Sequence, residues 1–134
     1  LQLKYVDSYI RSRKTIVETY REKLSGISGL RFLNNPEEIE QTYTYFPILI
    51  DSDKYGKSRD YVYESLKKYN IYSRRYFYPL ISNFPTYKGL QSSKKENLPV
   101  ANRIADEVIC LPVFPDLSIE NVQKICRILK EKSY

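Results

Sequence analysis

At 134 residues the chain is long enough for one compact domain with one buried core, and too short for two ordinary ones. A hydrophobic fraction of 42% and a charged fraction of 28% argue against disorder, and no apolar run approaches the roughly 20 residues of a membrane-spanning helix. With no His and only two Cys, the composition argues against a zinc site and excludes a Ser-His or Cys-His catalytic pair.

The net charge of +6 is uneven, because residues 54–95 hold ten Lys or Arg against two acids, Asp60 and Glu64. Such a midsection suits an anionic partner (nucleic acid, phosphate or carboxylate) or is a solvated lysine-rich surface. Cys110 and Cys126 lie in apolar surroundings and read as small buried hydrophobes. The chain opens without Met, on Leu1-Gln2-Leu3, already inside a helical pattern and without a signal-peptide apolar core. The expectation is a piece of a longer protein.

In chain order, Leu3, Val6, Ile10, Val17, Tyr20 and Leu24 share one helical face and predict a helix over residues 1–24, ended by Ser25-Gly26. A short strand follows near residues 31–33, then a turn at Asn34-Asn35-Pro36. The aromatic and β-branched run QTYTYFPILID predicts a strand over 41–51, with Pro47 pointing to a sheet edge or a bulge. Ser58 caps a helix with Val62, Leu66 and Tyr69 on one side, stopped by Asn70.

A strand is expected near 71–76, and residues 77–97, with Pro79, Pro85 and Gly89, read as a long irregular loop. Pro99 fits the first turn of a helix whose inner face is Ala101, Ile104, Ala105 and Val108. Residues 109–113 (ICLPV) read as a short buried strand or extended segment. Ser118 caps the last helix, striped by Val122, Ile125, Cys126 and Leu129. The fold class is therefore α+β: one domain over 1–134, with a small, mostly antiparallel sheet of about three strands flanked by helices.

The segment Tyr72-Ser73-Arg74-Arg75-Tyr76-Phe77-Tyr78 carries the chemistry. The planar fork of arginine suits bidentate binding of phosphate or carboxylate. Tyrosine offers a flat apolar face tipped by a hydroxyl, suited to a sugar or a base. The candidate substrate-binding residues are Arg74, Arg75, Tyr76 and Tyr78, with alternate aromatics assigned to the core by strand periodicity. Adjacent guanidiniums repel, and the first acid on either side in sequence is Glu64 or Glu96, at least ten residues off, so an external anion is expected at one arginine. No metal set, glycine-rich phosphate loop or paired carboxylates accompany them.

Four stretches, in order, resemble the C-terminal part of the DegT/StrS-type sugar aminotransferases. They are LQLKYVDSYIRSRKTIVETYREKL (1–24), RRYFYPL with FPTYKGL (74–80 and 84–90), LPVANRIADEVICL (98–111) and PVFPDLS (112–118). The resemblance implies the small domain of a type I pyridoxal-phosphate (PLP) enzyme, cytoplasmic and homodimeric, whose PLP-binding large domain and Schiff-base lysine lie upstream. It implies amino transfer from glutamate to a nucleotide-linked keto sugar, with the RRYFYPL loop pointing to thymidine-diphosphate deoxysugars. No catalytic, cofactor-binding or metal-binding residue is then expected in this chain, which alone would be inactive. Arg74 fills the family's loop-arginine position. Ile81 stands where the family commonly has His, so the His contact to substrate or to the glutamate carboxylate that the family pattern would supply is absent.

A different class of function competes: a basic, Tyr-rich nucleic-acid-binding module stacking bases on its sheet, or an interaction module. The sheet-stacking reading requires exposed aromatics on central strands. The sugar-aminotransferase reading excludes both nucleic-acid and membrane partners.

Overall fold

A computed structural model describes residues 2–34 and 38–131. A 3-10 turn, Gln2–Tyr5, leads into α1 (Val6–Leu24), followed by β1 (Leu30–Phe32), β2 (Phe46–Ile50), α2 (Ser52–Tyr55) and α3 (Arg59–Lys68). After a long connection come α4 (Pro99–Glu107), β3 (Val108–Leu111) and α5 (Ile119–Glu131). The strands form one antiparallel sheet in the order β1-β2-β3. The α+β expectation and its three-strand antiparallel sheet hold.

One face of the sheet carries Leu30, Phe46, Ile48, Ile50, Ile109 and Leu111 into the main core. There they meet Ile16, Val17, Tyr20 and Leu24 of α1, and Val122, Ile125, Cys126 and Leu129 of α5. Burying each large side chain contributes about 1.5–3 kcal/mol. Both cysteines are buried and unbridged. β3 is buried at all four residues, and α4 packs against β2.

Local signals placed most helices. Ser58 accepts a hydrogen bond from the Tyr61 N–H at 3.2 Å, and Ser118 accepts one from Asn121 at 3.3 Å. Pro99 sits in the first turn of α4. Asn70, in the left-handed region at φ 58°, follows the end of α3. Gly29 is also left-handed at φ 75°, and a Cβ there would lie 2.8 Å from the Asp51 carbonyl. That close approach lets the Asp51 N–H donate to Gly29 O at 2.8 Å, joining β1 to the end of β2.

Several expectations are corrected. The helix over 1–24 begins as α-helix only at Val6, and its first apolar residues stay outside the core, Leu3 at 85% exposure. The buried residues of α1, Ile16, Val17, Tyr20 and Leu24, all lie in its C-terminal half, where it joins the main core. The strand over 41–51 shrinks to Phe46–Ile50, because Tyr43 turns into the left-handed region (φ 52°) and Asp51 caps α2. Residues 109–113 form a strand only as Val108–Leu111, and the expected strand near 71–76 is a single bridge at Arg74. Residues 77–97 contain three short 3-10 turns: Ile81–Asn83, Gln91–Ser93 and Lys95–Asn97. Asn35 and Pro36 of the expected turn lie outside the described residues.

Pro47 is neither at an edge nor at a bulge, since β2 is the central strand. Its partner Cys110 gives its N–H and carbonyl to Arg74 on the far side of β3, so Pro47 and Cys110 form a non-hydrogen-bonded pair. The Pro47 nitrogen therefore faces the β1 side, where pairing stops at Ile48 with Phe32. Just past β1, the Leu33 carbonyl accepts instead from Arg21 Nη2 at 2.8 Å.

Candidate functional site

Beyond Asn70 the chain returns along the free edge of β3. Arg74 N–H donates to Cys110 O at 3.0 Å, and Cys110 N–H donates to Arg74 O at 2.8 Å. This extended stretch sends alternate side chains to opposite sides. Tyr72 and Arg74 line a cavity of about 370 Å³ together with Thr44, Tyr45, Val113 and Phe114. Tyr72 and Arg74 are both exposed, whereas Ser73 between them is buried and its hydroxyl has no protein partner.

The two arginines differ in their partners. Among the described residues the Arg74 side chain has no ion pair and no hydrogen bond. Its charge is felt by Cys110, whose thiol burial pushes up to about 11 while Arg74 pulls it the other way. Arg75, by contrast, donates to Asp60 Oδ1 at 3.3 Å and packs over the rings of Tyr63 and Tyr78, at 4.7 and 4.5 Å. Asp60 also accepts from Arg59 Nε at 2.8 Å. Arg59 is 2% exposed, donates from Nη1 to the Val108 carbonyl at 2.9 Å, and lies 4.8 Å from the Tyr78 ring centre.

Of the expected site residues, Arg74 lies on the cavity, and Tyr76 leans on the cavity residue Tyr45 at 5.5 Å. Arg75 and Tyr78 belong to a separate cluster with Arg59 and Asp60. Phe77 between the tyrosines takes φ 49°, which breaks the simple alternation.

Sequence reasoning missed Asp60, Arg59 and Tyr45. A signal for Arg59 existed: it falls on the same helical face as Val62 and Leu66, three and seven residues ahead, and an arginine in such a stripe needs buried partners. No local signal pointed to Tyr45. A larger cavity, about 640 Å³, is lined by Arg31, Asp51, Lys54, Arg59, Asp60 and Glu107 among others. Its charges largely satisfy one another, as Arg31–Glu107, Lys54–Asp51 and Arg59–Asp60 pairs.

The described residues do not fit PLP. None of their lysines and none of their aspartates is buried, so no sheltered lysine stands beside a sheltered carboxylate for a pyridinium ring. They likewise hold no group of three or more potential metal ligands. No helix among them is long and apolar enough to cross a membrane.

The family model described as DegT/DnrJ/EryC1/StrS aminotransferase matches residues 1–130. The chain is 49% identical, over 98% of its length, to the dTDP-4-amino-4,6-dideoxy-D-glucose transaminase of Escherichia coli, covering 35% of that protein. It is 36% identical to the enzyme of the same name from Shigella dysenteriae, again over 98% of this chain and 35% of the relative. Among solved structures, the aminotransferase TlmJ from Streptoalloteichus hindustanus superposes with a TM-score of 0.82 at 26% identity, over 98% of this chain and 33% of that one. The chain thus spans about a third of the length of the relatives it matches. With the match running through nearly every element described above, the chain belongs to the DegT/DnrJ/EryC1/StrS aminotransferase family.

Proposed function

We propose that the chain is the C-terminal domain of a PLP-dependent nucleotide-sugar aminotransferase, and that Arg74 is its contact to a substrate anion. The observation that carries the site is the contrast between neighbours. Arg75 is neutralised by Asp60, while Arg74 is exposed, unpaired among the described residues, and set on an aromatic-lined cavity. A diphosphate or carboxylate would meet the Arg74 guanidinium, and Tyr76 and Tyr72 would flank a ring. The names of the E. coli and Shigella relatives support a thymidine-diphosphate keto sugar as amino acceptor.

PLP and its lysine would come from the remainder of the enzyme, and family resemblance supports glutamate as amino donor, a homodimeric enzyme and a cytoplasmic setting. When bound, PLP supplies the electron sink for amino transfer. The role left to this chain is to bind and orient. The nucleic-acid reading lacks its platform, because β2 and β3 present no exposed aromatic.

The test is Arg74→Ala in the full-length enzyme, assayed with a dTDP-linked keto sugar. Loss of a charge-assisted contact should cost about 1.5–3 kcal/mol, about a tenfold to hundredfold fall in kcat/KM. An unchanged kcat/KM would make Arg74 a surface arginine and overturn the assignment.

A further inference from the structure

We propose that Arg59 is a positioning residue, which, through Asp60 and the ring of Tyr78, holds the 74–78 turn so that Arg74 faces its cavity. The proposal rests on the reading of Arg74 as the anion contact.

The geometry runs outward from the sheet. Arg59 is buried at the start of α3, and its Nη1 is tied to the Val108 carbonyl, the first residue of β3. Its Nε is bonded to Asp60 Oδ1, the same oxygen that receives Arg75. One carboxylate oxygen thus joins a guanidinium fixed on the sheet to a guanidinium on the turn. The Tyr78 ring lies within reach of both cations, 4.8 Å from Arg59 and 4.5 Å from Arg75. Arg74 and Tyr78 flank the left-handed Phe77 turn from either side. The Arg74 end is held by its backbone bridge to Cys110 and by the lean of Tyr76 on Tyr45. Without the attachment through Asp60 and Tyr78, the far end of the turn would lose its tie to the buried Arg59, leaving that bridge and the Tyr76–Tyr45 contact to fix its direction. A buried arginine without such a task is costly to keep, since its charge is desolvated.

The attachment acts through the face of the ring, so a phenylalanine should preserve it and a leucine should not. The experiment uses the full-length enzyme with Arg59→Met, Tyr78→Leu and Tyr78→Phe. Two readouts are taken: amide hydrogen exchange of the peptide covering residues 72–80, and KM and kcat for the dTDP-linked keto sugar.

Arg59→Met and Tyr78→Leu should speed exchange of that peptide by about tenfold and raise KM by about tenfold, with kcat within about twofold of wild type. Tyr78→Phe should keep the wild-type exchange rate. Unchanged exchange in Tyr78→Leu, or equally fast exchange in Tyr78→Phe and Tyr78→Leu, would overturn the attachment. Should Arg59→Met not fold, the two Tyr78 variants decide alone. Faster exchange with unchanged KM would overturn the positioning role if Arg74→Ala does raise KM. If Arg74→Ala leaves KM unchanged as well, the anion site fails and the attachment stands.

Discussion

Arg74 and Cys110 exchange both of their facing backbone hydrogen bonds, at 3.0 and 2.8 Å, and so add one residue of a fourth strand to the sheet. The pair fixes the Arg74 backbone on a buried strand while its side chain remains at the surface. It also leaves Cys110 with no ladder bond to offer β2, which is why Pro47 is tolerated opposite it.

Backbone and side chain at residue 74 should therefore separate by mutation. Arg74→Pro removes the N–H and leaves the Cys110 carbonyl unpaired, a loss of about 1–3 kcal/mol. Arg74→Ala keeps the N–H and should change stability by less than about 0.5 kcal/mol. Urea unfolding midpoints compare the two. Equal stability would show that the bridge contributes nothing.

A second prediction concerns Tyr55, whose buried hydroxyl donates to the Leu129 carbonyl at 2.6 Å. The bond joins the short helix α2 to the last described turn of α5. Tyr55→Phe keeps the ring and removes this one hydrogen bond, so stability should fall by about 0.5–1.5 kcal/mol. Thermal unfolding of the variant measures it, and an unchanged midpoint would show that the bond contributes no net stability.

Alkali should unfold the domain through groups that fold in their protonated forms. Burial pushes the Cys110 and Cys126 thiols up to about 11 and the Tyr55 phenol up to about 12, and drives Tyr20 well up as well. Raised values mean that the stabilisation is complete below the ordinary values, 9.0 for the thiols and 10.0 for the phenol. It is lost as pH rises toward the folded-state values, at about 1.4 kcal/mol per pH unit for each group. Unfolding free energy should be flat near neutrality and fall steeply from pH 9 to 12. A curve still flat at pH 11 would contradict this burial.

Much of the fold was legible because its signals are local. Ser58 and Ser118 cap helices whose stripes recur every three or four residues, Pro99 opens α4, and Asn70 follows the end of α3. Each of these interactions closes within one or two helical turns, so neighbouring residues suffice to specify it. The arginine pair and its tyrosines were also visible as unusual chemistry in one short segment.

The sequence by itself determined the four longer helices, the α+β class, the buried cysteines and the family. Only the tertiary structure decided that Pro47 lies in the central strand, that residues 71–76 contribute one bridge rather than a strand, and which arginine is neutralised. The sequence places no acid beside the arginines, from which an external anion is expected, yet Arg75 is paired with Asp60, 15 residues away. Ion pairs and ladder bonds are set by where the chain returns in space, and that path depends on the whole core. Position along the chain does not encode it.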